Sequence, residues 1–133
     1  MHDRLTDKKV LVTQASDYMG PAISTLFSAE GAEVTSIEGL VPGNASIESY
    51  AEPHQNIDIL VANLAFDPTS SAIADITDDG WQNLFEVMVH PLMALVRYFA
   101  PRMADRGHGK IVAITSAAPL RGIAGSAAYC AAR

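Results

Sequence analysis

Three residues near the end of the chain have the types and spacing for proton chemistry: Ser116, Tyr129 and Arg133. Tyr129 stands 13 residues after Ser116, and Arg133 another 4. Positions four apart share one face of a helix, so the phenol and the guanidinium can enter one site. A fixed positive charge beside a phenol favours the phenolate and lowers the tyrosine pKa. That makes the tyrosine a usable general base near neutral pH. Ser116 lies just past an apolar strand, where its hydroxyl can hold a substrate oxygen beside that base. Taken alone, a tyrosine–arginine pair at this spacing is equally a surface pair on a helix. The serine at a strand end is what lifts it above that reading.

The elements that must position these residues alternate strand and helix. Lys9-Val10-Leu11-Val12-Thr13 is a short, β-branched run, as expected of a buried parallel strand. A turn runs from Gln14 to Gly20, and Pro21 then opens a helix, where its missing N–H leaves nothing unpaired. Ile23, Leu26 and Phe27 lie on one face of that helix, and Gly31 is its expected stop. Glu33 to Ile37 reads as a second strand, completing a βαβ unit. Residues 39–56 carry Gly39, Pro42, Gly43, Pro53 and Asn56, with no room for a full helix, strand and helix, so a short helix or an irregular connection is expected. Ile57 to Ala62 is the next strand, followed by a loop of Asp67, Pro68, Thr69 and two serines.

Asp78 or Asp79 is expected to cap a long helix beginning near Trp81, which anchors the helix start in the core. Apolar residues recur at helical spacing from Trp81 to Met103, and Pro91 inside that stretch predicts a kink. Lys110 to Thr115 is the fourth strand, Ser116 to Gly125 a loop, and Ser126 to Arg133 the start of a helix. The predicted fold is α/β: a Rossmann-like, doubly wound parallel sheet flanked by helices, in one domain over residues 1–133, with right-handed crossovers. Ligands in such sheets sit at the carboxyl ends of the strands, here after Thr13, Ile37, Ala62 and Thr115.

Composition narrows the classes. The chain has 133 residues, 49% hydrophobic and 18% charged, which is globular and not disordered. Nine basic residues against 15 acidic ones give a net charge of −6, and no cluster of Lys or Arg stands out. That argues against nucleic acid as a partner. No apolar run approaches the ~18–20 residues that cross a bilayer, so no membrane is expected. The polar N-terminus, Met1 to Lys9, has no apolar core of a signal peptide. The single cysteine, Cys130, leaves neither an internal disulfide nor a metal framework, and the expected setting is cytoplasmic.

Thr115-Ser116 followed by Tyr129-Cys130-Ala131-Ala132-Arg133 resembles the short-chain dehydrogenase/reductase superfamily. The first strand and turn, the Ile59-Leu60-Val61-Ala62-Asn63 segment and the helix from Trp81 extend the resemblance over essentially the whole chain. That superfamily normally places a lysine four residues after the tyrosine, where this sequence has Arg133. Serine, tyrosine and arginine in this spacing are similar to the halohydrin dehalogenases, a cofactor-free offshoot. Asp17-Tyr18-Met19-Gly20, Val89-His90-Pro91-Leu92 and Ser116-Ala117-Ala118 agree with it as well.

The superfamily's dinucleotide turn reads Thr-Gly-x-x-x-Gly-x-Gly, against Thr13-Gln14-Ala15-Ser16-Asp17-Tyr18-Met19-Gly20 here. Gln14 and Tyr18 stand at the first two glycine positions, and Asp17 adds negative charge where pyrophosphate would lie. All three oppose NAD binding. The motif Asn-Asn-Ala-Gly appears as Ala62-Asn63-Leu64-Ala65, and the relay asparagine of the long helix falls at Met88, whose thioether cannot replace an amide.

The resemblance implies conversion of vicinal haloalcohols to epoxides with release of halide, and the reverse opening of epoxides by azide, cyanide or nitrite. It implies no nicotinamide cofactor and a homo-oligomer, specifically a tetramer. Ser116, Tyr129 and Arg133 would be catalytic. Tyr18 would line the halide pocket, with Phe66, Pro119 and Asn63 at the strand ends facing the site. The alternatives are an NAD(P)-dependent oxidoreductase with Arg133 in the lysine position, and a non-catalytic scaffold that keeps the fold. The motif order further implies the N-terminal part of a longer subunit, cut at Arg133 and lacking the later strands.

Overall fold

The computed structural model describes residues 3–66 and 70–133. The loop expected at Asp67, Pro68 and Thr69 lies outside the described residues. Four short strands form one parallel sheet: β1 (Lys9–Val12), β2 (Glu33–Ser36), β3 (Ile59–Asn63) and β4 (Lys110–Ile114), in the order β2-β1-β3-β4. Val10 sits opposite Val34 on one side and Ile59 on the other, and Asn63 opposite Ile114. Alternate residues of a strand point to opposite faces. Leu11, Leu60 and Ala62 therefore enter one apolar cluster, and Val10, Val12, Ile59 and Val61 another. All of these positions are buried, as the near-continuous apolar runs predict for a two-sided parallel sheet.

The second cluster is closed by Ile23 and Phe27 of α1 (Gly20–Ala29). Pro21 lies in the first turn of that helix, and Gly31, at φ +89°, follows its end. Between β2 and β3 the chain makes only α2 (Ile47–Ala51) flanked by two 3-10 turns, matching the irregular connection expected there. The first cluster is closed by Ile47 and Ala51 of α2 and by Leu95, Tyr98, Phe99 and Met103 of the long helical segment.

That segment is two helices, α3 (Asp78–Met88) and α4 (His90–Asp105), broken at Val89. Pro91 is the cause: it has no N–H to continue the ladder, and it is tolerated only in the first turn of α4. The expected cap at Asp78 or Asp79 is corrected to Thr77, whose extended backbone lets its hydroxyl accept from Gly80 N at 3.1 Å. The two aspartates instead occupy the first turn, where their charge opposes the helix dipole. Trp81 is also not a core anchor; it is exposed and stacks on Phe85 at 5.1 Å between ring centroids. Past α4, Arg106 donates to Gln55 O at 2.8 Å and Ile57 O at 2.7 Å, fixing the chain as it enters β3. Among the described residues, no helix is long and apolar enough to cross a membrane.

Candidate active site

The last helix, α5 (Ala127–Ala132), is one and a half turns long and packs on α3. Tyr129 and Arg133 project from one face of it, as the spacing of four predicts. Arg133 Nε donates to Tyr129 Oη at 3.2 Å. The same guanidinium reaches back to the sheet: Nη1 donates to Leu64 O and to Ile114 O, both at 3.0 Å. Those carbonyls close the carboxyl ends of β3 and β4. Arg133 thus bolts the short helix across two strand ends and holds its cation beside the phenol oxygen. Both side chains are half-buried, in surroundings where a charged donor is worth more than in bulk water.

Ser116 lies two residues beyond Ile114 and is half-buried. Its Oγ accepts from Ala118 N at 3.0 Å, a local turn bond that opens the 3-10 turn carrying Pro119. Hydrogen bonds among the described residues join Tyr129 to Arg133 but not to Ser116. The hydroxyl hydrogen of Ser116 stays available to a substrate oxygen, since its lone pair is what the turn uses. Pro119 is exposed and Phe66 half-buried, just beyond β4 and β3 respectively.

The first turn holds the less expected geometry. Gln14 and Tyr18, at φ +44° and +49°, keep the left-handed backbone that the superfamily's pattern fills with glycine. Tyr18 is 65% exposed beside the start of α1. Gln14 is the opposite, 1% exposed, with neither end of its amide hydrogen-bonded among the described residues. Asn63, fully buried, does not present its amide N–H to a pocket. Nδ2 donates to Gln14 O at 3.0 Å and Asp17 O at 2.9 Å, pinning the turn from below. Thr13 Oγ1 donates to Asn63 O at 3.1 Å and completes that brace. The sequence reading missed this role, and also missed Leu64 and Ile114 as anchors for Arg133. Main-chain carbonyls carry no residue-type signal, and the adjacency of Asn63 and Leu64 was the only hint.

The short chain dehydrogenase family matches residues 43–133, more than half of the chain. The chain belongs to that family. It is 27% identical to Dehydrogenase/reductase SDR family member 4 of Oryctolagus cuniculus, across 96% of this chain and 60% of the relative. A solved structure described as a dehalogenation enzyme is 27% identical and superposes with a TM-score of 0.82, over 96% of this chain and 62% of that one. A short chain dehydrogenase/reductase family protein of known structure is 28% identical with a TM-score of 0.88, over 99% of this chain and 64% of that one. The chain therefore spans about three fifths of the length of the relatives it matches.

For a short-chain dehydrogenase, the first turn does not fit a dinucleotide. Pyrophosphate binding needs the backbone bare, so that phosphate oxygens reach the N–H groups at the helix start. Here side chains stand at both of the first two glycine positions, Gln14 buried and Tyr18 largely exposed, and the exposed Asp17 adds a like charge between them.

Proposed function

We propose that this protein is a halohydrin dehalogenase. The observation that carries the reading is Arg133, fixed by Leu64 O and Ile114 O and directed through Nε onto Tyr129 Oη, in a chain whose first turn is not built for a dinucleotide. The likeness to a dehalogenation enzyme at 27% identity supports it.

In this mechanism Tyr129, held by Arg133 Nε on its oxygen, is the general base and removes the proton from the hydroxyl of a vicinal haloalcohol. Ser116 donates to the same substrate oxygen. The resulting alkoxide attacks the adjacent carbon, a C–O bond forms as the C–halogen bond breaks, and halide departs with the electron pair. A C–O bond replaces a C–halogen bond at the same carbon, so the substrate undergoes no net oxidation and no hydride acceptor is required. The reverse step opens an epoxide with azide, cyanide or nitrite, and Tyr129 returns its proton to the alkoxide. Tyr18, with its positive ring edge beside the N-terminus of α1, is assigned to the halide pocket together with Phe66 and Pro119. The same reading assigns a cytoplasmic setting and a homo-tetramer. An open, largely apolar groove of about 450 Å³ along the start of α4, lined by Val89, Leu92, Met93, Val96 and Arg97, supports self-association.

The experiment is bromide release from a vicinal bromoalcohol, run beside Tyr129→Phe and beside titration with NADH and NADPH. Release that depends on Tyr129 and needs no nicotinamide is the expected result. The second reading is an NAD(P)-dependent oxidoreductase with Arg133 in the lysine position, favoured by the dehydrogenase/reductase relatives. Hydride transfer from NADPH without bromide release would establish it in place of ours.

A further inference from the structure

A helix as short as α5 does not hold itself, because too few hydrogen bonds follow its costly first turn. Ser126, at its start, makes no side-chain cap. Something else must set where Tyr129 stands. At the carboxyl end that is Arg133, tied to Leu64 O. At the amino end, Gly125 O accepts from Ser71 N at 2.9 Å. Both tethers lead to the connection after β3, one at Leu64 and the other at Ser71. Gly125 has a left-handed backbone, φ +75°, and a Cβ built there would fall on the Ser70 hydroxyl. Two features favour glycine at this position: the left-handed backbone, and the Ser70 hydroxyl, which a Cβ would displace.

We infer that Gly125 is a positioning residue for Tyr129. By clasping Ser71 it fixes the start of α5 and so the depth at which the phenol meets a haloalcohol hydroxyl. Gly125 touches no reacting atom; it acts through Tyr129. This rests on the dehalogenase reading for its substrate, while the geometry it claims can be seen without turnover.

The test uses Gly125→Ala and the double variant Gly125→Ala/Ser70→Gly, which relieves the clash and leaves the backbone cost. Two readouts are taken: kcat and KM for bromide release, and the 13C resonance of the Tyr129 ring carbon bearing oxygen, assigned with Tyr129→Phe. Misplacing a base by a fraction of an ångström lowers kcat about tenfold or more while KM stays within about threefold. The Tyr129 resonance shifts as its contact with Arg133 changes, and the double variant recovers part of both. A Gly125→Ala protein with kcat within about twofold of the parent and an unmoved resonance overturns the inference. So does a double variant that restores nothing. If Gly125→Ala alone fails to fold, the double variant decides: reduced kcat with a shifted resonance supports the clasp, and parental values overturn it. A parent that releases no bromide refutes the dehalogenase reading, and the resonance alone then judges the clasp.

Discussion

Arg133→Lys keeps the positive charge and restores the residue that the superfamily ordinarily has, so it separates the fork of the guanidinium from its charge. In the structure two nitrogens serve three acceptors: Nε meets Tyr129 Oη at 3.2 Å, and Nη1 meets Leu64 O and Ile114 O at 3.0 Å. A lysine offers one nitrogen at the end of a flexible stem and cannot hold the phenol and both carbonyls together. Hydrogen bonds from charged donors contribute about 1.5–3 kcal/mol each, and half-burial places these at the lower end. Losing two of them, where both define the pose of the base, removes about 3 kcal/mol of transition-state stabilisation. That corresponds to a fall in kcat of about 10²-fold. KM should move little, since Arg133 faces the phenol and not the substrate. The assay is bromide release from a bromoalcohol, with a thermal melt to show that the fold survives. A kcat within about threefold of the parent would refute the argument that the anchored fork matters. NADPH-dependent hydride transfer by the variant would refute the argument from the first turn.

Three further outcomes follow from features outside that pair. Tyr18→Gly removes a left-handed non-glycine residue whose cost is about 1 kcal/mol, offset by a similar gain in unfolded-chain freedom, so thermal stability stays within about 1 kcal/mol. Its bromide affinity falls in a titration, while NADH still fails to bind because Gln14 remains. Tyr50→Phe deletes a buried hydroxyl that has no partner among the described residues and stabilises the fold by about 1 kcal/mol in denaturant melts. Burial pushes the Tyr50 phenol up to about 12 from 10.0. The unfolded chain therefore releases this proton first, the parent loses stability as pH rises across that interval, and the variant escapes the loss. The Glu30 carboxyl is held below its ordinary 4.5 by hydrogen bonds from Arg4, so its contribution is complete above that value and disappears as pH falls through the lower folded one. Arg4→Ala should flatten the acid limb of a melting-temperature profile over that range, and an unchanged limb would exclude the pair as its source.

Local rules made most of the frame readable. β-Branched runs marked β1, β2, β3 and β4 to within two residues, and Pro91 announced the break at Val89. The helix start was misplaced because aspartate and threonine are both good caps, and only backbone conformation decides between Thr77 and Asp78. Tyr129 and Arg133 were found together because helical spacing is local information. What held them was not legible. Arg133 meets Leu64 across 69 positions of sequence, and Asn63 meets Asp17 across 46, through backbone oxygens that every residue possesses. The left-handed conformations at Gln14 and Tyr18 were hidden for the opposite reason: their residue types argue against the backbone they adopt.

The strand order sets a hierarchy of protection. β1 is flanked on both sides and its Val10, Leu11 and Val12 are sealed from solvent, whereas β2 has one hydrogen-bonded neighbour among the described strands, and its Glu33 and Ser36 are exposed. Backbone amides on β1 should exchange with deuterium only when the whole domain opens, and those on β2 through cheaper local fraying. Thr13, directly after β1, bonds to Asn63, whose amide in turn holds Gln14 O and Asp17 O. The turn that carries Gln14 and Tyr18 therefore hangs from the best protected strand of the sheet, so its left-handed backbone should persist on warming until the core itself opens.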